Sequence, residues 1–203
     1  MSGRSWLRDI LKISYGKRNG DISSDDLRRS LRPLQEKEKT WNQLPSKYSQ
    51  LMENFHPVMR HFFTERHKDP MAWFTMRLNY IRSVAVTSMV GWILGIGDRH
   101  CSNILIDTKS GELVHIDFGI VFEDVSRHAW VLRRGTDYQG RRLRIPERVP
   151  FRLTNDLVDG FGIAGVDGTF RRCSEHTLRV LREHAELIMT VLEVFKHDPL
   201  YAW

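Results

Sequence analysis

GDRHCSNILIDTKSGELVHIDFG, residues 97–119, gathers Asp98, His100, Asn103 and Asp117 into one short span. Asn103-Ile-Leu-Ile-Asp107 and Glu112-Leu-Val-His-Ile116 are β-prone runs joined by Thr108-Lys-Ser-Gly111, a turn signal in which Gly111 is able to take positive φ. This predicts a β-hairpin whose two ends bring Asn103 and Asp117 side by side. Asp98 and Asp117, 19 positions apart, then face one site.

The residue types suit phosphoryl transfer. That chemistry needs an oriented nucleophile, held phosphates and a divalent cation to offset negative charge. Asp98 precedes Asn103 by five positions, the interval of the protein-kinase pattern H-R-D-L-x-x-x-N, and Asp117-Phe118-Gly119 is a literal D-F-G. The order around the first Asp is inverted, Asp-Arg-His rather than His-Arg-Asp. A carboxylate beside a hydroxyl can orient it and take its proton, which makes Asp98 the candidate base. Magnesium favours hard oxygen donors and keeps several waters, so Asn103 and Asp117 suffice alongside ATP phosphates. His100 is placed to donate a hydrogen bond to the transferring phosphate or to position the hydroxyl. Arg99 and His115 read as structural, tying loop carbonyls or carboxylates.

The 203 residues suit one domain or a little more, and 41% apolar with 28% charged residues is ordinary for a globular chain. No run approaches the roughly 18 apolar residues of a membrane helix, and MSGRSWLRDI lacks an apolar signal core. Two cysteines make neither a disulfide framework nor a zinc site, which points to a reducing compartment. The net charge of +6 is uneven: seven Arg face Asp124, Asp137 and Glu147 between 124 and 148. Such a run reads as a solvated loop, or as a surface for phosphates.

Outward from the hairpin, residues 1–22 are polar and read as poorly ordered. Ser23-Ser24-Asp25-Asp26 starts a helix carrying Leu27, Leu31 and Leu34, and Pro45 opens another. A short helix follows Pro57 through Phe63. Asp69-Pro70 is an N-cap with proline at the first helical position, and an apolar pattern runs from Met71 to Gly95 and Gly97. Beyond the site, Thr154 caps a helix ended by Gly160 and Gly162, Ser174 caps the next, and a last helix spans Ala185 to about His197. The fold class is mainly α with a small β-hairpin at the active site.

GDRHCSNIL, HIDFG, VPFRLT and the closing EVFKHDPLYAW resemble the catalytic domain of the phosphatidylinositol 3-kinase-related protein kinases. RSVAVTSMVGWILGIGDRH and LVDGFGIAGVDGTFRRC look like the ataxia-telangiectasia-mutated branch with its fungal telomere-maintenance counterparts. The resemblance covers about Ser24 to Trp203. It implies a protein-kinase-like C-terminal lobe over 23–203, with catalytic loop 97–105, metal motif 115–119 and activation segment 117–154. It implies that Asp98 is the base assisted by His100, that Asn103 and Asp117 hold Mg2+ (or Mn2+), and that Leu105 and Ile116 floor the ATP adenine pocket. The implied activity is transfer to Ser or Thr followed by Gln, in nuclear DNA-damage and telomere signalling. Implied partners are those protein substrates, DNA-damage sensors, and the upper lobe and helical-repeat regions of a larger kinase, with no membrane.

Two departures stand out. Nothing before Asp98 reads as an upper lobe with a Gly-rich strand pair and a Lys–Glu pair, so the chain alone is expected to have little activity. The segment after Asp117 is about 15 residues longer than the family pattern, and VSRHAWVLRRGTDYQ, 125–139, reads as an insertion or retained intron. A lipid kinase lobe, which shares the inverted Asp-Arg-His, and a non-catalytic interaction fragment are the alternatives.

Overall fold

The structure is a computed structural model that describes residues 4–6, 25, 26, 29, 46, 49, 50, 53, 55–121 and 149–196. The insertion at 125–139, the arginine-rich stretch and the leucines at 27, 31 and 34 lie outside the described residues. Asp25, Asp26 and Arg29 are helical, as are Ser46, Ser49 and Gln50, in line with the two early helices.

The spine is α2, Pro70–Ile93, preceded by α1, Met59–Arg66. Asp69 caps α2 as its sequence demands, accepting the Ala72 N–H at 2.7 Å. Three further helices follow: α3 Asn155–Asp159, α4 Thr169–Glu183 and α5 Ala185–Lys196. Thr154 caps α3 by accepting the Leu157 N–H at 3.4 Å. The α1 N-terminus has no side-chain cap of its own. Asp156 and Asp159 of α3 supply it instead, accepting the Val58 and Arg60 N–H groups at 2.9 and 2.8 Å.

Where these helices meet, aromatic rings form a continuous chain. Phe63 lies 5.1 Å from Tyr80, Tyr80 5.9 Å from Phe161, and Phe161 stacks on Phe170 at 5.0 Å. Burial, reinforced by Asp156 and Asp159, raises the Tyr80 phenol well above its ordinary value. It therefore stays protonated and donates to the Leu157 carbonyl at 3.1 Å.

Two sequence expectations need correction. Part of the N-terminal segment expected to be poorly ordered is a strand: β1, Arg4–Trp6, pairs antiparallel with β2, Ile104–Asp107, from Arg4↔Asp107 to Trp6↔Leu105. The hairpin is thus the far part of a three-stranded sheet ordered β1-β2-β3, with β3 at Leu113–His115. Pairing across about 100 positions leaves no local signal, and it covers a β2 edge that would otherwise be open. Ser174 is not a cap either. The helix begins five residues earlier, after Gly168, because Phe170 must enter the core beside Phe161; Ser174, one turn on, is buried on the same face.

The hairpin is fastened to α2. Asn79 Nδ2 donates to the Ser110 carbonyl at 3.1 Å, and the Leu113 N–H donates to Ser83 Oγ at 2.9 Å. Gly111, at φ +78°, lies so close that a Cβ there would sit 2.7 Å from the Met76 carbonyl oxygen. Gly111→Ala therefore combines left-handed strain with a clash against helical backbone, and is expected to cost about 2–4 kcal/mol. Urea unfolding checks this; a change below about 0.5 kcal/mol, the scatter of neutral surface substitutions, would contradict it.

Candidate active site

The last turn of α2 aims the chain at the site. Gly95 takes φ +63°, its N–H donates to the Trp92 carbonyl at 3.2 Å, and the Ile96 N–H reaches back to Gly91 at 2.8 Å. This is a Schellman stop, available because glycine occupies the left-handed position. Gly97 follows, buried, its N–H donating to the Ile120 carbonyl at 3.0 Å. That bond already draws the start of the 97–105 loop onto the end of the 115–119 motif.

Among the described residues, two non-glycine positions have positive φ: Asp98 at 55° and Asp117 at 58°. Each conformation costs about 1–3 kcal/mol and persists only where surrounding bonds over-determine it. Those bonds are present. Asn103 Nδ2 donates to the Asp98 carbonyl at 2.9 Å, and the His100 N–H to the same oxygen at 3.0 Å. The Ile116 N–H donates to the Asn103 carbonyl at 3.0 Å, and the Gly119 N–H to Asp117 Oδ1 at 3.2 Å. Arg99 donates to the carbonyls of Gly97 at 2.7 Å, Ile116 at 2.6 Å and Asp117, fulfilling its structural reading. Asp98, Asn103 and Asp117 therefore belong to one hydrogen-bonded cluster.

His100 Nε2 lies 3.8 Å from Asp98 Oδ2, beyond hydrogen-bond reach. Both line a cleft of about 640 Å³ together with Arg99, Trp92, Ile96 and the strap 149–154. Trp92 was legible only as part of an apolar helix, yet it is 44% exposed into this cleft. In the strap, Arg152 has its Nε buried and unpartnered among the described residues. Leu105 alternates with Ile104 and Ile106, which are buried against the helical core, so it lies on the opposite sheet face. Ile116 follows β3 directly. The sheet thus offers an apolar surface beside Asn103 and Asp117, away from the helices.

The donor set fits a magnesium–nucleotide complex. Asn103 spends its Nδ2 on Asp98, which leaves Oδ1 as the amide's acceptor, and Asp117 presents an exposed carboxylate. No group of three or more His, Cys, Asp or Glu side chains able to hold a metal occurs among the described residues. One carboxylate and one amide oxygen, completed by phosphates and water, is a magnesium arrangement rather than a zinc or calcium cage.

Burial, with the Arg99 charge beside it, lowers the His115 imidazole to about 4. The group is neutral in the fold, whereas an unfolded histidine titrates near 6.5. The unfolded chain thus binds the proton more readily between these values. The stability from neutral His115 is complete above about pH 6.5 and is lost as pH falls toward 4, by about 1–3 kcal/mol. His115→Gln should lose less stability than the parent between pH 7 and 5; equal losses in denaturant unfolding would contradict this.

Comparison with known proteins decides the family. A model described as "Phosphatidylinositol 3- and 4-kinase" matches residues 6–203. The chain belongs to this family. The match takes in more of the N-terminal segment than the motifs alone suggested, including Trp6 of β1. Over 183 residues, 90% of the chain, it is 52% identical to the serine/threonine-protein kinase TEL1 of Cryptococcus neoformans. Over 150 residues, 74% of the chain, it is 54% identical to the serine/threonine-protein kinase ATM of Arabidopsis thaliana. A solved structure described as "FAT and kinase domain of CtTel1" superposes with a TM-score of 0.83 at 42% identity, covering 99% of this chain. The family fold is accordingly a kinase-like C-terminal lobe, mainly helical around a small sheet. The chain spans 6% of the Cryptococcus relative, 4% of the Arabidopsis one and 13% of the solved chain.

Proposed function

We propose that this family member is the C-terminal lobe of a serine/threonine protein kinase that moves the ATP γ-phosphate to Ser or Thr followed by Gln. The supporting observation is the cluster that ties Asp98, Asn103 and the Ile116–Asp117 backbone together beside an open cleft. Asp98 orients the acceptor hydroxyl and takes its proton as the oxygen bonds to the γ-phosphorus and ADP departs. His100, at the same cleft, donates a hydrogen bond to the transferring group. Asn103 Oδ1 and the Asp117 carboxylate would hold Mg2+ (or Mn2+), which would supply positive charge to offset that of the phosphates. Leu105 and Ile116 floor the adenine.

Relatives about half identical over most of the chain are named protein kinases, which favours protein over lipid as acceptor. The setting we propose, on the resemblance read from the sequence, is nuclear checkpoint and telomere signalling, with DNA-damage sensors, an upper lobe and helical repeats as partners. No described helix is long and apolar enough to cross a membrane. Nothing before Asp98 reads as a phosphate-cradling Gly-rich strand pair with a Lys–Glu pair, so the isolated chain is expected to transfer little phosphate; robust transfer by it would refute that expectation.

The functional test is a chimera: the Cryptococcus relative with its matching 183-residue region exchanged for the one here. It should phosphorylate Ser-Gln peptides in preference to Ser-Ala peptides and to phosphatidylinositol vesicles. Preference for the vesicles, or no transfer from correctly folded chimera, would overturn the reading.

A further inference from the structure

We infer that Arg99 is the positioning residue that sets the metal-binding carboxylate against the proton-accepting one. The inference rests on the proposed function. Its warrant is the distribution of one guanidinium over two loops. Nε donates to Gly97, the residue before Asp98, while Nη1 and Nη2 donate to Ile116 and to Asp117 itself. The same group lies 5.7 Å from the Phe118 ring centroid. Arg99 thus grips the backbone on the N-terminal side of one left-handed Asp and at the other.

The fork geometry matters. Three carbonyls from two segments are spanned by donors held rigid in one plane, which the point charge and flexible stem of lysine cannot reproduce. Other ties between the segments among the described residues run through the backbone: Gly97 to Ile120, Ile116 to Asn103, and the β2–β3 ladder that pairs Ile104 with His115. None of these three holds the carbonyl of Asp117. Without Arg99, the peptides before and after Asp117 both lose a bond that holds them, and the Cα that carries the carboxylate is free to shift. The consequence falls on cation affinity before it falls on folding or on peptide recognition.

Arg99→Lys and Arg99→Gln in the chimera are the test. Manganese binding in the presence of ADP, read by electron paramagnetic resonance, should weaken about 10–100-fold, the usual cost of losing a group that orients a metal ligand. The Mg2+ concentration for half-maximal transfer should rise by the same factor, while KM for the peptide stays within about threefold and excess Mn2+ restores part of kcat. Unchanged manganese affinity and Mg2+ requirement, with a lowered kcat or melting temperature, would make Arg99 a structural residue only and overturn the inference. Asp117→Asn is measured in parallel: if it binds manganese and transfers phosphate like the parent, the proposed function fails and the inference with it. If it abolishes both while the Arg99 variants do not shift the metal requirement, the inference alone fails.

Discussion

Asp98→Asn in the chimera is expected to lower kcat about 10²–10⁴-fold, the range for removing a general base, with KM for ATP within about threefold. Asparagine keeps the shape and tolerates the left-handed backbone, so the φ of 55° and the carbonyl bonds from Asn103 and His100 should survive. What disappears is an acceptor able to take the hydroxyl proton. His100 is not expected to stand in: its Nε2 lies 3.8 Å from Asp98 Oδ2, and its proposed part is to donate to the transferring group rather than to accept the proton. Steady-state kinetics on a Ser-Gln peptide decide the matter. A variant within tenfold of the parent would show that Asp98 is not the proton acceptor.

Tyr80→Ala should be the most damaging of the core substitutions, costing about 3–5 kcal/mol, the usual range for aromatic truncation. Tyr80 is fully buried and touches the Phe63 and Phe161 rings. A Cβ on Gly160 would come within 2.5 Å of its ring, so α3 is seated directly on it. Truncation opens a cavity at the junction of α1, α2 and α3 and strips the Leu157 carbonyl of its donor. Tyr80→Phe separates the two effects: it keeps the ring and loses only the hydrogen bond, for about 1–3 kcal/mol. Urea unfolding of both variants tests this, and equal losses would contradict the assignment of most of the energy to packing.

Local chemistry made much of the arrangement legible. Asp69-Pro70 and Gly95 bracket α2 because capping and left-handed glycine are written in single residues. The hairpin turn was equally plain in Lys109-Ser-Gly111. Two features had no such signature. β1 is legible only through its partner β2, far along the chain, and Ser174 imitates a cap in a sequence where Phe170, one turn earlier, already belongs to the core. At the site, the spacing of Asp98, Asn103 and Asp117 carried the idea of a shared centre. It could not show that Arg99 bridges the two loops, because a guanidinium's reach to backbone carbonyls depends on where the loops run. Trp92 was hidden for a related reason: an apolar residue near a helix end reads as core until the neighbouring strap shows that it lines a cleft.

The central claim is that Asn103 and Asp117 hold one cation while Asp98 looks onto the same phosphate. The most direct measurement is the structure of the chimera with Mg2+ and a non-hydrolysable ATP analogue. It should place Asn103 Oδ1 and an Asp117 carboxylate oxygen about 2.0–2.1 Å from Mg2+, with the Asp98 carboxylate facing the terminal phosphate across the cleft. Cations bound without either residue, or Asp98 turned away from the phosphate, would contradict the account.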